Sequence, residues 1–187
     1  IKSVSLGNYV NFLNTSGGTQ IIVSGSNFGK VSDSSISLTY GQFNTSHDTL
    51  STPLYNGNSC EVNIGHTQII CIASAGAGKD LAWRVSLGTQ KSLIYKSSVR
   101  YEKPVILGIS IFEGASQMDY LRTDGKSSLK ITGTSFGPSA TPCSVSHMSV
   151  SGERILSNCV VDLDSLITCS FSGVGTGRNH IFYVEIA

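Results

Sequence analysis

Apolar side chains recur at every second position in short runs along this chain. Ile21 and Val23 share one face of Gln20–Ser24, and Leu129 and Ile131 share one face of Ser128–Thr134. Leu81, Trp83, Val85 and Leu87 alternate in the same way. Near the end, Phe182, Val184 and Ile186 form the more apolar face, against Ile181, Tyr183 and Glu185. A period of two places successive side chains on opposite faces of a strand, so each run predicts a half-buried β-strand. Turn-forming strings (Ser-Gly, Asn-Phe-Gly, Asn-Gly-Asn, Gly-Ala-Gly) separate the runs about every ten residues. Short strands at that spacing predict an all-β protein built of antiparallel sandwiches.

The pattern occurs twice. Gly25, Phe28 and Gly29 return as Gly133, Phe136 and Gly137, and Cys60 and Cys71 return as Cys159 and Cys169. Gly76 and Gly78 return as Gly175 and Gly177. The spacing between copies shrinks along the chain, so the first copy carries about ten extra residues, expected as an enlarged loop around Tyr40 to Gly57. Two tandem domains follow, residues 1–101 and 102–187, each of about seven strands. The junction near Tyr101 to Pro104 has no Gly/Ser linker, which predicts a stiff pair.

Composition narrows the function classes. Only 13% of the 187 residues are charged, and the net charge is +1. The first 101 residues carry about +3 and the remainder about −2. Neither half has the basic field that recruits nucleic acid or an anionic membrane. No apolar run is long enough to span a bilayer. Ser and Thr make up about a quarter of the residues, which suits hairpins and disfavours helices. Because the sequence starts at Ile1 rather than Met, it is expected to be a processed chain or part of a longer one.

The order Gly17-Gly18-Thr19, Gly25, Phe28-Gly29, Cys60, Cys71 and Gly76 to Gly78 resembles the IPT/TIG domain. That is the immunoglobulin-like module of plexins and related receptors, of surface proteins of unicellular eukaryotes and of some transcription factors. The second copy keeps most of the pattern, but Asp124-Gly125-Lys126-Ser127 replaces the Gly-Gly-Thr element. The resemblance implies tandem immunoglobulin-like sandwiches. Glycines 25, 29, 133 and 137 are then expected to permit positive φ or close backbone approach, and Phe28 and Phe136 to plug the core. It also implies disulfides Cys60–Cys71 and Cys159–Cys169; the competing reading is buried free thiols in a cytosolic sandwich. Cys143 is left over, as a buried thiol, a competitor for a paired cysteine, or a cross-link to another chain.

Asn14-Thr15-Ser16 and Asn44-Thr45-Ser46 are N-glycosylation sequons in expected loops, although a Ser/Thr-rich chain produces such triplets by chance. With paired cysteines they favour an extracellular protein, secreted or on a cell surface. Several strings imitate chemistry. Gly133-Thr134-Ser135-Phe136-Gly137 has the form of a nucleophile elbow, but the first copy has Asn27 at the position of Ser135. Residues 73–80 imitate a phosphate-binding loop but lack its first Gly and its final Ser/Thr. His47, His66, His147 and His180 are scattered and expected on the surface or in loops. Asp162 and Asp164 are expected to share a strand face, weighed as a weak calcium site and read instead as a solvated face. The basic stretch Lys91 to Lys103, interleaved with Tyr95 and Tyr101, is weighed against nucleic acid and set aside.

No catalytic residue, cofactor or metal site is therefore expected. The leading expectation is a structural or adhesive repeat unit that assembles head-to-tail into a fibre or surface array. Its partners would be other copies of itself or adjacent repeats, a cell-surface protein, and N-linked glycans. The alternative is the ectodomain module of a recognition receptor for a protein or carbohydrate ligand.

Overall fold

A computed structural model of the chain describes residues 1–7, 10–33, 35–148, 154–170 and 181–186. The chain is all-β, with antiparallel sheets throughout the described residues. It divides into two compact units, Ile1–Glu102 and Lys103–Ala187.

In the first unit the strands are β1 (Ser3–Leu6), β2 (Gln20–Ser24), β3 (Ile36–Asn44), β4 (Thr49–Leu50), β5 (Tyr55–Asn56), β6 (Asn58–Ile64), β7 (Gln68–Ile72), β8 (Leu81–Leu87), β9 (Gln90–Lys91) and β10 (Tyr95–Lys96). One sheet has the order β1-β2-β7-β6 and the other β10-β8-β3-β4, with β5 on β3 and β9 on β8. The alternating faces meet between them. Ile21, Val23, Val62, Ile69 and Cys71 come from the first sheet, and Ile36, Leu38, Tyr40, Leu81, Trp83 and Val85 from the second. Trp83 is fully buried, stacks on Tyr40 with ring centroids 4.6 Å apart, and donates its indole N–H to Ser97 Oγ at 2.8 Å. That bond removes the cost of burying the one polar atom of the indole.

The extra residues of this unit are more ordered than the loop expected from sequence. Tyr40 to Asn44 continue β3, and β4 and β5 pair back onto it. Tyr40 and Gly41 are buried, so this insertion extends the sheet as a hairpin. At Gly57 the chain then passes from pairing with β3 to pairing with β7. A Cβ there would stand 3.0–3.1 Å from Cys71 Cβ, Cys60 Sγ and Leu38 Cβ, so a larger residue at the crossing would have to displace the disulfide or Leu38 by a few tenths of an ångström.

In the second unit the strands are β11 (Val105–Glu113), β12 (Ser116–Met118), β13 (Ser128–Thr134), β14 (Cys143–Met148), β15 (Arg154–Leu163), β16 (Leu166–Ser170) and β17 (Ile181–Ile186). They form a continuous path, β12-β11-β13-β16-β15-β14-β17. β15 makes the crossing without a break: its first four residues pair with β14, and from Asn158 onward it pairs with β16. Leu129, Ile131, Val145, Val161, Ile167 and Cys169 are buried among Phe182, Val184 and Ile186. The face of β17 chosen from sequence is thus the core face, while Ile181 and Tyr183 are exposed.

Candidate functional site

The feature common to both units is a hairpin clipped by a disulfide and capped by the glycine–phenylalanine turn. Cys60 is bonded to Cys71, and Cys159 to Cys169, with Cα–Cα distances of 4.2 and 4.0 Å. Cys159 and Cys169 face each other directly across β15 and β16. The sequence separations are 11 and 10. The odd residue lies in the turn, because Val62 pairs with Ile69 where Val161 pairs with Ile167.

The motif turn lies on that hairpin turn in both units. Gly25 N–H donates to Thr67 C=O at 2.9 Å and Phe28 N–H to His66 C=O at 3.2 Å. The counterparts are Gly133 N–H to Ser165 C=O at 3.1 Å and Phe136 N–H to Asp164 C=O at 3.0 Å. The four glycines divide their work. Gly29 and Gly137 have φ of 89°, which L side chains rarely adopt. At Gly25 and Gly133 the need is space: an added Cβ would collide with the Phe28 or Phe136 ring. Asn27 and Ser135 also have positive φ, 64° and 62°. Ser135 is 5% exposed in this turn, a conformation that asparagine accepts more readily.

A second shared turn underlies both sequence variants of the Gly-Gly-Thr element. Asn14 N–H donates to Thr19 Oγ1 at 3.0 Å, and Arg122 N–H donates to Ser127 Oγ at 2.9 Å. Gly17 and Gly125 occupy equivalent positions with φ of 83° and 73°. The second unit therefore keeps the turn although its sequence departs from the motif, because Ser127 supplies the hydroxyl and Gly125 the positive φ.

What stands on the turn differs. In the first unit, Leu13 is fully buried and bridges Tyr101 in parallel fashion. Its N–H donates to Arg100 C=O at 2.8 Å, and its C=O accepts from Glu102 N–H at 2.9 Å. Phe12 and Asn14 flank it and are exposed. They line an open depression of about 500 Å³ together with Val10, Thr19 and Gln20. Asn14 Oδ1 accepts Ser16 N–H at 2.8 Å. In the second unit the corresponding residues are Tyr120, Leu121 and Arg122, beside a depression of about 340 Å³. There the Arg122 guanidinium is held by Glu113 and by Asp124, the latter at 2.7 Å. The hydrogen bond from Arg122 is the main cause that lowers the Asp124 carboxyl to a pKa of about 2.

The other sequon stands at the end of β3 rather than in a loop. Asn44 is half-buried, and its Oδ1 accepts Ser46 N–H at 2.9 Å. Cys143 packs against the second core from β14, half-exposed, and burial pushes its thiol pKa up. A raised pKa leaves little thiolate at neutral pH, which disfavours spontaneous cross-linking.

The strings that imitate chemistry are occupied by structural contacts. In residues 73–80, Ser74 N–H donates to Tyr40 Oη at 3.1 Å, Gly76 N–H to Thr15 C=O at 3.0 Å and Ala77 N–H to Tyr55 Oη at 3.1 Å. Those donors are already engaged and cannot cradle a phosphate. Tyr101, expected beside the basic stretch, is instead a core residue whose hydroxyl donates to Ser74 C=O at 2.9 Å. Burial raises its pKa far above the ordinary phenol range. His147 is likewise in the interior, 2% exposed and stacked on Phe182, rather than on the surface as expected. Its place on β14 beside the core explains the difference. Asp164 lies in the hairpin turn, off the strand face, and its Oδ1 accepts Gly137 N–H at 2.8 Å. Among the described residues no three His, Cys, Asp or Glu side chains gather as a metal site. No helix of the described residues is long and apolar enough to cross a membrane. Gly175, Gly177, His180 and Ala187 lie outside the described residues.

No family model matches the chain, and it matches no curated protein. Among solved structures it is similar to the plexin A4 full extracellular region, domains 1 to 10, with a TM-score of 0.32 and 17% identity. The match covers 95% of this chain and 13% of that one.

Proposed function

We propose that the chain is a non-enzymatic, extracellular structural or adhesive repeat of tandem IPT/TIG-like sandwiches that joins other copies of itself by strand addition. The observation that carries this reading is the outer edge of β11. β12 covers only Ile111 to Glu113, so the first part of β11 has β13 on one side and no strand on the other among the described residues. Val105, Leu107 and Ile109 are 50%, 72% and 37% exposed along that stretch. An open edge bearing apolar side chains is a template for a further strand. Register irregularity lies between Ile106 and Gly108, with Leu107 as the extra residue.

The extracellular part of the reading rests on the two disulfides, which persist in oxidising compartments and are rare in the cytosol. Sedimentation and electron microscopy of the full chain at increasing concentration test the assembly. Concentration-dependent oligomers or filaments, reduced by Leu107→Lys, are expected. Particles that stay monomeric at every concentration overturn it. Intact mass before and after reduction tests the compartment: free thiols at all five cysteines contradict an extracellular origin.

A further inference from the structure

We propose that the depression beside Asn14 seats the first sugar of an N-linked glycan carried by Asn14 itself, with the Phe12 ring as its apolar wall. This rests on the extracellular reading above and adds a defined carbohydrate contact to it.

Three observations carry the inference. Leu13 is fully buried and tied on both sides of its backbone to Arg100 and Glu102. Phe12 and Asn14, on either side of that anchor, are both exposed and line the same depression. Phe12 and Val10 are 38% and 40% exposed, so this wall is apolar surface left in water. The apolar face of a pyranose covers such a surface, and at about 500 Å³ the depression has room for a sugar ring. Finally, Asn14 Oδ1 is engaged by Ser16 N–H, while no hydrogen bond among the described residues uses Nδ2. The amide is thereby oriented with its nitrogen free, and the Ser16 side chain required by the sequon is exposed.

Attachment is a glycosyl transfer from an oligosaccharide carried on a lipid pyrophosphate. The Asn14 Nδ2–C1 bond forms and the C1–O bond to phosphate breaks. The lipid pyrophosphate leaves with the electron pair, and one amide proton passes to a base of the host transferase.

Two positions in the same chain act as controls. At the Asn44 sequon the residue two places earlier is Gln42, and the adjacent Phe43 ring lies against the Lys96 ammonium at 3.6 Å. Asn44 has the same local turn and lacks the aromatic wall. In the second unit, Arg122 replaces the asparagine and is held by Glu113 and Asp124, so the equivalent turn carries no attachment point for a sugar.

The test uses the full chain secreted from a eukaryotic host, alongside Asn14→Gln, Asn44→Gln, Phe12→Ala and Phe12→Ala/Asn14→Gln. Intact mass reads occupancy, and the thermal midpoint is taken with intact glycans, after trimming to one sugar, and for the glutamine variants. Loss of the Asn14 glycan is expected to lower the midpoint by about 3–8 °C, as one aromatic stacking contact does in a domain of this size. One remaining sugar should preserve the shift, and on the Phe12→Ala background Asn14→Gln should no longer change the midpoint. Loss of the Asn44 glycan should change the midpoint by about 1 °C or less. Upfield-shifted ring protons of the first sugar on Asn14, lost in Phe12→Ala, are the spectroscopic counterpart. An unglycosylated Asn14 beside an occupied Asn44, or a glycan-dependent shift unchanged by Phe12→Ala, overturns the seat and leaves the extracellular reading standing. No glycan at either asparagine overturns the seat, whereas free thiols at all five cysteines overturn the extracellular reading.

Discussion

Residues 12–19 and 120–127 fold into one turn and end in opposite chemistry. Each has a backbone N–H capped by a hydroxyl five residues on, from Thr19 or Ser127. Each has a glycine at positive φ, Gly17 or Gly125. Asn14 then presents a neutral amide beside an exposed phenylalanine, whereas Arg122 is locked by two carboxylates. The difference teaches that the hydroxyl cap and the glycine hold the turn, and the side chain standing on it is free to vary.

The anchor beneath the turn should separate the two units most sharply. Leu13 is fully buried and Leu121 only half-buried. Leu13→Ala is expected to cost about 2–5 kcal/mol in urea unfolding of the first unit, with a smaller loss for Leu121→Ala in the second. Equal losses would mean that the second turn is anchored as firmly as the first. The shared cap comes next. Thr19→Val and Ser127→Ala should each cost about 1 kcal/mol by removing the acceptor for a backbone N–H. A negligible cost in either unit would break the equivalence of the turns.

The locked arginine gives the second unit a pH dependence that the first turn lacks. Asp124 has its folded pKa lowered to about 2, so its stabilising contribution is complete above the ordinary carboxylate range and fades as pH falls toward 2. Asp124→Asn should therefore be less stable than the parent near neutral pH and converge with it near pH 2, the gap narrowing in high salt because the pair is exposed. A gap independent of pH would assign the effect to packing. The smallest expected effect is in the motif turn. Ser135→Gly should gain a few tenths of a kcal/mol, because relief of the positive φ is offset by the entropy of glycine, and Ser135→Asn should do the same without that offset. Alkylation of Cys143 in the folded protein should be slow near neutral pH and accelerate only at alkaline pH, since burial raises its pKa.

Much of the architecture was legible along the chain because it depends on local rules. Alternation selected the core faces of β2, β8, β13 and β17, since the period of a strand leaves two faces to choose between. The repeat exposed the motif turns, because Gly29 and Gly137 meet a backbone requirement that few residues satisfy. Where side chains make contacts distant in sequence, the reading went astray. Tyr101 reads along the chain only as interleaved in the basic stretch Lys91 to Lys103, and it is buried against Tyr40, 61 residues away. His147 reads as a polar residue and sits against the core. Asp124 to Ser127 read as a departure from the Gly-Gly-Thr element although Ser127 keeps the cap of Thr19, because a hydroxyl cap is recognised only when the N–H it accepts is in view.

The sequence by itself determined an all-β pattern and a motif repeated twice, with two cysteines in each copy and two sequons in the first, because periodicity, repetition and spacing are linear properties. Only the tertiary structure decided which sequon stands beside an aromatic wall and which does not. Phe12 and Asn14 become neighbours on an outward face because Leu13 is drawn into the core between Arg100 and Glu102. That anchoring comes from the far end of the first unit, and no local pattern encodes it.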